Sequence, residues 1–210
     1  MNEWEELADL MVETGKGPDF ITVDGGEGGT GAAPPSFADH ASLPWVYGFS
    51  DLYKVFQKRN LTERIVFVGS GKLGFPAKAA MAFAMGVDCI NVAREAIMSI
   101  GCIQAQVCHT NRCPSGVATQ SKWLQNGIDP TLKSQRLGQY FKTFRKELVE
   151  ITHAAGYEHP CQFNMKDIDV NVDDHNLSEE LDKTYNYQKT PIKYTTMQDL
   201  KDCIYLGGKQ

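Results

Sequence analysis

Three cysteines lie close together near the middle of the chain, with the spacing Cys-x5-Cys-x4-Cys-Pro. They are Cys102, Cys108 and Cys113, and Pro114 follows the last of them. Structural zinc sites usually use cysteines two to four residues apart and need a fourth ligand, for which only His109 is adjacent. Iron–sulfur clusters are held by thiolates, and a proline directly follows a ligand cysteine in bacterial ferredoxins. The spacing therefore favours an iron–sulfur cluster over a zinc site or metal-free thiols.

A glycine-rich segment follows the first predicted strand and offers a second chemical site. The strand runs from Asp19 to Asp24, and five glycines lie between Gly25 and Gly31. Glycine lets the backbone take positive φ and approach a ligand closely. The segment is not a dinucleotide-binding motif, because no regular helix pattern opens directly behind it. A plain flexible turn remains the alternative.

Two further predicted strands also end at small or basic residues. The strand Arg64–Gly69 continues into Ser70 and Gly71, and the strand Asp88–Val92 continues into Arg94. Barrel phosphate sites are commonly built after the last strands from glycine N–H groups, and arginine offers a planar fork to phosphate. Three such strand ends favour a shared ligand, and flavin mononucleotide (FMN), with one phosphate, suits them. Arg94 could instead make only a surface or helix-end contact.

Alternating strands and helices must position these loops. Apolar spacing and stop signals predict helices over Glu3–Thr14, Ser50–Lys58, Pro76–Met85 and Glu95–Ile100. Buried strands that alternate with helices indicate parallel α/β structure. A (β/α)8 barrel takes about 250 residues, whereas this chain shows about three βα units. We therefore predict the C-terminal part of a TIM-type barrel.

The chain is divided by this interpretation into barrel units at 1–100, an iron–sulfur loop at 101–121 and a helical extension at 122–210. A helix from Pro130 or Leu132 to Ala155 is predicted to bury one apolar stripe. The stripe comprises Leu137, Tyr140, Phe141, Phe144, Leu148 and Ile151. Residues 167–175 are predicted to be solvated loop, residues 176–189 to be polar and partly disordered, and residues 197–205 to form a short helix.

Composition limits the class of protein. The net charge of −5 comes without basic blocks, which argues against a nucleic-acid surface because phosphate binding needs clustered lysine and arginine. No apolar run approaches the roughly 20 residues that span a membrane. The acidic start, Asn2–Glu6, is not a cationic secretory leader. Clustered cysteines without an export signal indicate a reduced, cytoplasmic protein.

These motifs together resemble the FMN-binding synthase domain of the glutamate synthase family, over about residues 20–120. The resemblance rests on Gly28-Gly29-Thr30-Gly31-Ala32, on His40-x-x-Leu43-Pro44-Trp45, and on the cysteine run followed by Gly116-Val117-Ala118-Thr119-Gln120. It implies a (β/α)8 barrel in which ammonia adds to 2-oxoglutarate and reduced FMN delivers hydride to the imine, giving glutamate. It also implies an electron donor, either ferredoxin or a reductase subunit.

The resemblance also assigns residues. It implies that Cys102, Cys108 and Cys113 hold a 3Fe-4S cluster. The residues that it places at the FMN phosphate are Gly69, Ser70, Gly71, Lys72, Asn91, Ala93 and Arg94. The residues that it places near substrate are Asp24, Gly28, Gly29, Thr30 and Gly31.

The chain departs from the family pattern in ways that bear on activity. Glu27 stands where long glutamate synthases carry an aspartate, and Asn2 stands where an N-terminal cysteine would hydrolyse glutamine. The first barrel strands and their catalytic side chains are expected upstream. We therefore expect an incomplete catalytic domain, inactive without an N-terminal barrel half or partner chain. The alternatives are a non-catalytic iron–sulfur or FMN-binding electron-transfer subunit, or a flavin barrel of the 2-hydroxyacid oxidase or inosinate dehydrogenase kind, which leaves the three cysteines idle.

Overall fold

A computed structural model describes residues 2–28, 34–37, 41–171 and 177–192. The helices and strands are, in chain order, α1 Asn2–Thr14, β1 Phe20–Asp24, α2 Trp45–Gln57, β2 Val66–Ser70, α3 Pro76–Met85, β3 Cys89–Asn91, α4 Arg94–Ser99, α5 Lys122–Gln125, α6 Pro130–Ala154, β4 Asp169–Asn171, β5 Ser178–Glu180 and α7 Leu181–Tyr185. No helix in these ranges is long and apolar enough to cross a lipid bilayer.

Three strands form a parallel sheet in the order β1-β2-β3. The register pairs Thr22 of β1 with Val68 of β2, and Val68 with Cys89 of β3. A helix follows each strand, so successive strands run in the same direction, as in other α/β proteins. The predicted α/β class and parallel pairing are confirmed. The rest of a barrel remains a prediction.

The two faces of this sheet have different surroundings. Ile21, Phe67 and Gly69 lie on the helix-covered face and are buried. Alternate residues of a strand point to the opposite face, where Phe20 is 62% exposed and Val68 is half-buried. The sheet therefore presents apolar side chains on a face that the described helices leave open.

Helix α2 supplies most of the aromatic core beneath the covered face. Trp45, Phe49 and Phe56 are buried at helical spacing, and the rings of Phe49 and Phe67 meet edge to face with centroids 6.0 Å apart. The helix begins at Trp45 rather than at the predicted Ser50. The prediction was wrong there because the buried stripe extends a full turn further toward the N-terminus.

Helix α6 packs on α3 and α4 with a narrower buried side than predicted. Leu148 is buried, as expected, but Phe141 is 42% exposed and Ile151 is 37% exposed. The prediction of a continuous core stripe was therefore wrong at these two residues. These residues are exposed because α6 is longer than the helices that cover it. It has 25 residues, whereas its partners α3 and α4 have 10 and 6.

The segment after α6 is ordered and packed where described, in contrast to the prediction of partial disorder over 176–189. Leu181 and Tyr187 are buried, and the Tyr187 hydroxyl donates to the Met85 carbonyl at 2.9 Å. The solvated-loop prediction was also wrong at β4, which pairs antiparallel with β5. The remaining predicted loop residues from 172, and the predicted helix at 197–205, lie outside the described residues.

Candidate functional site

Polar side chains form one row across the carboxyl edge of the parallel sheet. The register pairs Asp24 with Ser70, and Ser70 with Asn91, so the three residues share the open face. The row beneath them comprises Thr22, Val68 and Cys89. Ligands of open parallel sheets bind outside the carboxyl ends of the strands. The sheet thus brings together three residues that were predicted separately as substrate-binding and cofactor-binding.

The glycine segment, defined here as Gly25–Gly28, leans against the end of β2. The Gly25 N–H donates to the Ser70 carbonyl at 2.8 Å, and the Gly26 N–H donates to the Leu43 carbonyl at 2.9 Å. Residues 26–28 form a short 3-10 turn. The segment therefore begins as a fixed backbone structure rather than a free turn. The predicted substrate residues Gly29, Thr30 and Gly31 lie outside the described residues.

Glu27 caps helix α2 from a distance in sequence. Its two carboxylate oxygens accept from the Trp45 N–H at 3.0 and 2.8 Å. Helices usually take a serine, threonine, aspartate or asparagine cap directly before their first turn, but Pro44 in that place makes no side-chain cap. Sequence analysis missed this role, and the missing local cap at Pro44 was the one signal that could have indicated it.

The β2 turn, defined here as Gly69–Lys72, is packed against Trp45. A Cβ at Gly69 would lie 2.9 Å from Trp45 Cζ2, and one at Gly71 would lie 2.5 Å from Trp45 Cβ. Lys72 has a φ of 53°, in the left-handed region. The two glycines are thus required by the neighbouring indole.

The indole of Trp45 has a polar atom without a partner. Trp45 is 1% exposed, and its Nε1–H is buried with no hydrogen-bond acceptor among the described residues. Its ring stacks on Phe49 with centroids 5.0 Å apart. Leaving such a donor unpaired costs about 1–3 kcal/mol. The packing of the ring offsets this cost and keeps the ring buried.

Four side chains at or just after the ends of β2 and β3 suit a phosphate group in type. Ser70 contributes a hydroxyl, Asn91 an amide, Lys72 an ammonium and Arg94 a guanidinium. All four donate hydrogen bonds, and the last two also carry the positive charge that a phosphate monoester needs. Ala93 precedes α4, and its methyl group cannot cap the helix. The donor set therefore fits the FMN phosphate in type and charge.

The three cysteines of the loop differ in environment. Cys102 is half-buried, and its Sγ accepts from the Gln104 N–H at 3.4 Å. Cys108 opens a short 3-10 turn. Cys113 is 6% exposed. Burial raises the pKa of Cys113, but hydrogen bonds from the Ser115 hydroxyl and nearby backbone N–H groups outweigh burial and lower that pKa to about 7.

Asn111 holds the loop around Cys113 together. It has a φ of 62°, its carbonyl accepts from the Thr119 hydroxyl at 2.7 Å, and its Oδ1 accepts from the Gln120 N–H at 2.6 Å. Asparagine tolerates left-handed backbone better than most residues. Sequence analysis did not single out Asn111, because this role depends on contacts eight and nine residues away.

Three thiols in one loop suit an iron–sulfur cluster in donor type. Their positions do not form a ligand group: in the described part of the chain, no three histidine, cysteine, aspartate or glutamate side chains are arranged to hold a metal ion. Cys102, Cys108 and Cys113 therefore stay a predicted ligand set.

The chain is similar to glutamate synthases over most of its length. The family model for a conserved region in glutamate synthase matches residues 5–158. A glutamate synthase large subunit-like protein, YerD, of Bacillus subtilis is 40% identical over 79% of this chain, and the match spans 32% of that relative. The ferredoxin-dependent glutamate synthase of Cyanidium caldarium is 34% identical over 80% of this chain and 11% of its own length. The archaeal NADPH glutamate synthase of Methanocaldococcus jannaschii is 31% identical over 66% of this chain and 27% of its own.

Proposed function

The chain belongs to the glutamate synthase family, and on that premise we propose that it forms part of an FMN-dependent enzyme that makes L-glutamate. The substrates of the proposed reaction are 2-oxoglutarate and ammonia or glutamine-derived nitrogen. One observation carries the proposal: Asp24, Ser70 and Asn91 lie in register along the carboxyl edge of the sheet, within the matched region.

On the cofactor side, the proposal assigns the FMN phosphate to the β2 turn and to the start of α4. Lys72 and Arg94 would neutralise the phosphate charge, while Ser70 and Asn91 would donate hydrogen bonds. The backbone N–H of Gly71 would donate to a phosphate oxygen, and Ala93 leaves the first turn of α4 uncapped by a side chain. Bound FMN would supply the hydride transfer to the imine of 2-oxoglutarate.

On the substrate side, the proposal assigns the ligand to Asp24 and to the glycine residues Gly28–Gly31. An ionised carboxylate only accepts hydrogen bonds, so Asp24 would face a donor group and would repel the carboxylates of 2-oxoglutarate. It would therefore orient the nitrogen end of the reacting pair. Backbone N–H groups of the glycine residues would face the substrate carboxylates.

The proposal gives Cys102, Cys108 and Cys113 to a 3Fe-4S cluster that receives electrons from ferredoxin or a reductase subunit. The named relatives include ferredoxin-dependent and NADPH enzymes, which supports an external donor. The three thiols do not form a metal-binding group in the described residues, so cluster binding would have to bring them together. The five described cysteines are free thiols, which agrees with the proposed cytoplasmic location.

Activity is proposed to need further barrel strands. The chain spans 32% of the Bacillus subtilis relative, and its sheet has an open apolar face. An N-terminal barrel half, either in a longer polypeptide or in a partner chain, would cover that face. A second candidate, a non-catalytic cofactor-binding or electron-transfer subunit, is favoured by the same observation, because three strands alone do not enclose a substrate.

The cluster is tested by anaerobic purification with iron, sulfide and flavin analysis. We expect iron and sulfide in the wild type and their loss in Cys108→Ser, since a serine hydroxyl replaces a thiolate ligand. Cys161→Ser is the matched control, because Cys161 is half-buried and lies outside the loop; it should retain iron. A colourless wild type that carries zinc would contradict the cluster.

The flavin site is tested with the chain combined with the barrel half of a relative. We expect Arg94→Ala to weaken FMN binding roughly tenfold or more, because a charge-assisted hydrogen bond is lost. Exposed Arg145→Ala in α6 is the control. Riboflavin, which lacks the phosphate, should bind both variants alike. Unchanged FMN affinity would show that Arg94 is structural, and glutamate formation by the combined halves separates the enzyme from the electron-transfer candidate.

A further inference from the structure

We propose that Glu27 is a positioning residue that couples the glycine segment to the β2 turn through the first residue of α2. The significance of this coupling rests on the proposed function, because the two segments would serve substrate and cofactor respectively. The coupling itself is a property of the chain without ligands.

The first contact joins the glycine segment to α2. Glu27 is half-buried, and both of its carboxylate oxygens lie within 3.0 Å of the Trp45 nitrogen. An anion is stabilised at a helix N-terminus by the unpaired N–H groups and the helix dipole. Because Pro44 makes no side-chain cap, Glu27 supplies the acceptor that α2 otherwise lacks.

The second contact joins α2 to the β2 turn. Trp45 fills the volume that side chains at Gly69 and Gly71 would occupy. The Cδ of Glu27 also lies 3.3 Å from the position that a Cβ at Gly71 would take. Gly71 is therefore packed between the carboxylate of Glu27 and the base of the Trp45 side chain, and a shift of either displaces the turn.

Backbone hydrogen bonds complete the connection. Gly25 donates to the Ser70 carbonyl and Gly26 donates to the Leu43 carbonyl. The glycine segment thus contacts β2 and the start of α2 at the same time. Three segments far apart in sequence form one unit, so a ligand that fixes the β2 turn must also fix the glycine segment.

Hydrogen exchange of the full chain, measured by mass spectrometry, tests the coupling. We expect Glu27→Ala to accelerate exchange roughly tenfold in both the glycine segment and the β2 turn, since a charge-assisted hydrogen bond is lost. Glu27→Gln retains a side-chain oxygen acceptor and should stay within about threefold of the wild type. Glu27→Asp should accelerate both segments, because its carboxylate is one carbon–carbon bond, about 1.5 Å, shorter.

Two controls separate coupling from general destabilisation. Glu13→Ala removes an exposed carboxylate of α1 and should leave both segments unchanged. Amides of α6 should exchange at wild-type rates in every Glu27 variant. If Glu27→Ala fails to fold, the Asp and Gln variants decide: coupling predicts fast exchange in the first and near-wild-type exchange in the second.

Acceleration of the glycine segment alone, with residues 69–72 unchanged, would overturn the proposal and leave Glu27 as a simple helix cap. A second measurement distinguishes this failure from failure of the proposed function. In the chain combined with a barrel half, Glu27→Asp should weaken FMN binding more than riboflavin binding. If the wild type binds no FMN at all, the proposed function fails while the exchange result stands.

Discussion

Gly71 shows how one missing side chain can determine local structure. Sequence analysis assigned this residue to a phosphate site through its backbone N–H, yet Trp45 and Glu27 already occupy the space that a side chain would need. The residue is therefore constrained by protein packing whether or not a ligand binds. Sequence analysis identified the position but could not identify this reason, because Trp45 lies 26 residues away and shares no local pattern with it.

Gly71→Ala is expected to lower the free energy of unfolding by about 1–3 kcal/mol, since an added methyl group overpacks this site. The measurement is the urea midpoint at constant slope. Gly138→Ala in α6 is the matched control, because a Cβ there meets no atom within 4 Å. Alanine has the higher helix propensity, so this control should raise stability by up to about 1 kcal/mol. Equal midpoints for the two variants would contradict the packing at Gly71.

At the scale of elements, local signals decided what could be predicted. The bounds of α3 were predicted correctly because Pro76 marks its start and Gly86, with a φ of 111°, ends it. The three strands of the parallel sheet were placed to within two residues, whereas β4 and β5 were not predicted. The start of α2 was missed because its cap comes from Glu27 rather than from a neighbouring residue.

The segment after α6 could not be predicted because its packing depends on distant partners. The Nζ of Lys189 donates to the Phe83 carbonyl at 3.0 Å and to the Phe163 carbonyl at 3.2 Å, and it also donates to the Cys161 carbonyl. Phe83 lies in the last turn of α3, and its carbonyl also accepts from the Gly86 N–H at 3.2 Å. No sequence period links these residues, so a polar composition was mistaken for disorder.

Lys189→Met is expected to lower the free energy of unfolding by about 1–3 kcal/mol, because three carbonyls lose a charged donor. Methionine retains most of the apolar stem. Exposed Lys142→Met in α6 is the control and should stay within about 0.5 kcal/mol of the wild type. Urea midpoints measure both, and a Lys189 variant as stable as the control would show that the segment is held by its apolar contacts alone.

At the scale of the whole molecule, buried and half-buried tyrosines should make the fold sensitive to alkali. Burial raises the pKa of Tyr53, Tyr140 and Tyr187, to about 12 for Tyr140. Above the usual tyrosine pKa of about 10, the unfolded chain releases these protons while the folded chain retains them. The unfolded state then binds fewer protons, so the free energy of unfolding falls as pH rises. Burial lowers the pKa of Lys189, which makes the free energy of unfolding rise with pH, but this is one group against several tyrosines.

The measurement is the urea midpoint from pH 8 to pH 11, together with tyrosinate absorbance. We expect a steady fall of the midpoint above about pH 9.5. In Tyr187→Phe the fall should be shallower, although the variant starts from a lower midpoint because the bond to the Met85 carbonyl is lost. A midpoint that stays level to pH 11 would contradict the burial of these phenols.

The order of strands in the parallel sheet constrains any polypeptide that completes it. Neither β1 nor β3 pairs with another described strand on its outer side, and a closed barrel has no strand edges. In the proposed barrel, a completing segment would therefore have to pair with both edges at the same time. Once one edge is paired, pairing at the second edge is intramolecular, which greatly strengthens the binding of the completing segment. A shortened segment that pairs with only one edge would bind more weakly. The second edge would stay exposed and could pair with other copies of the chain.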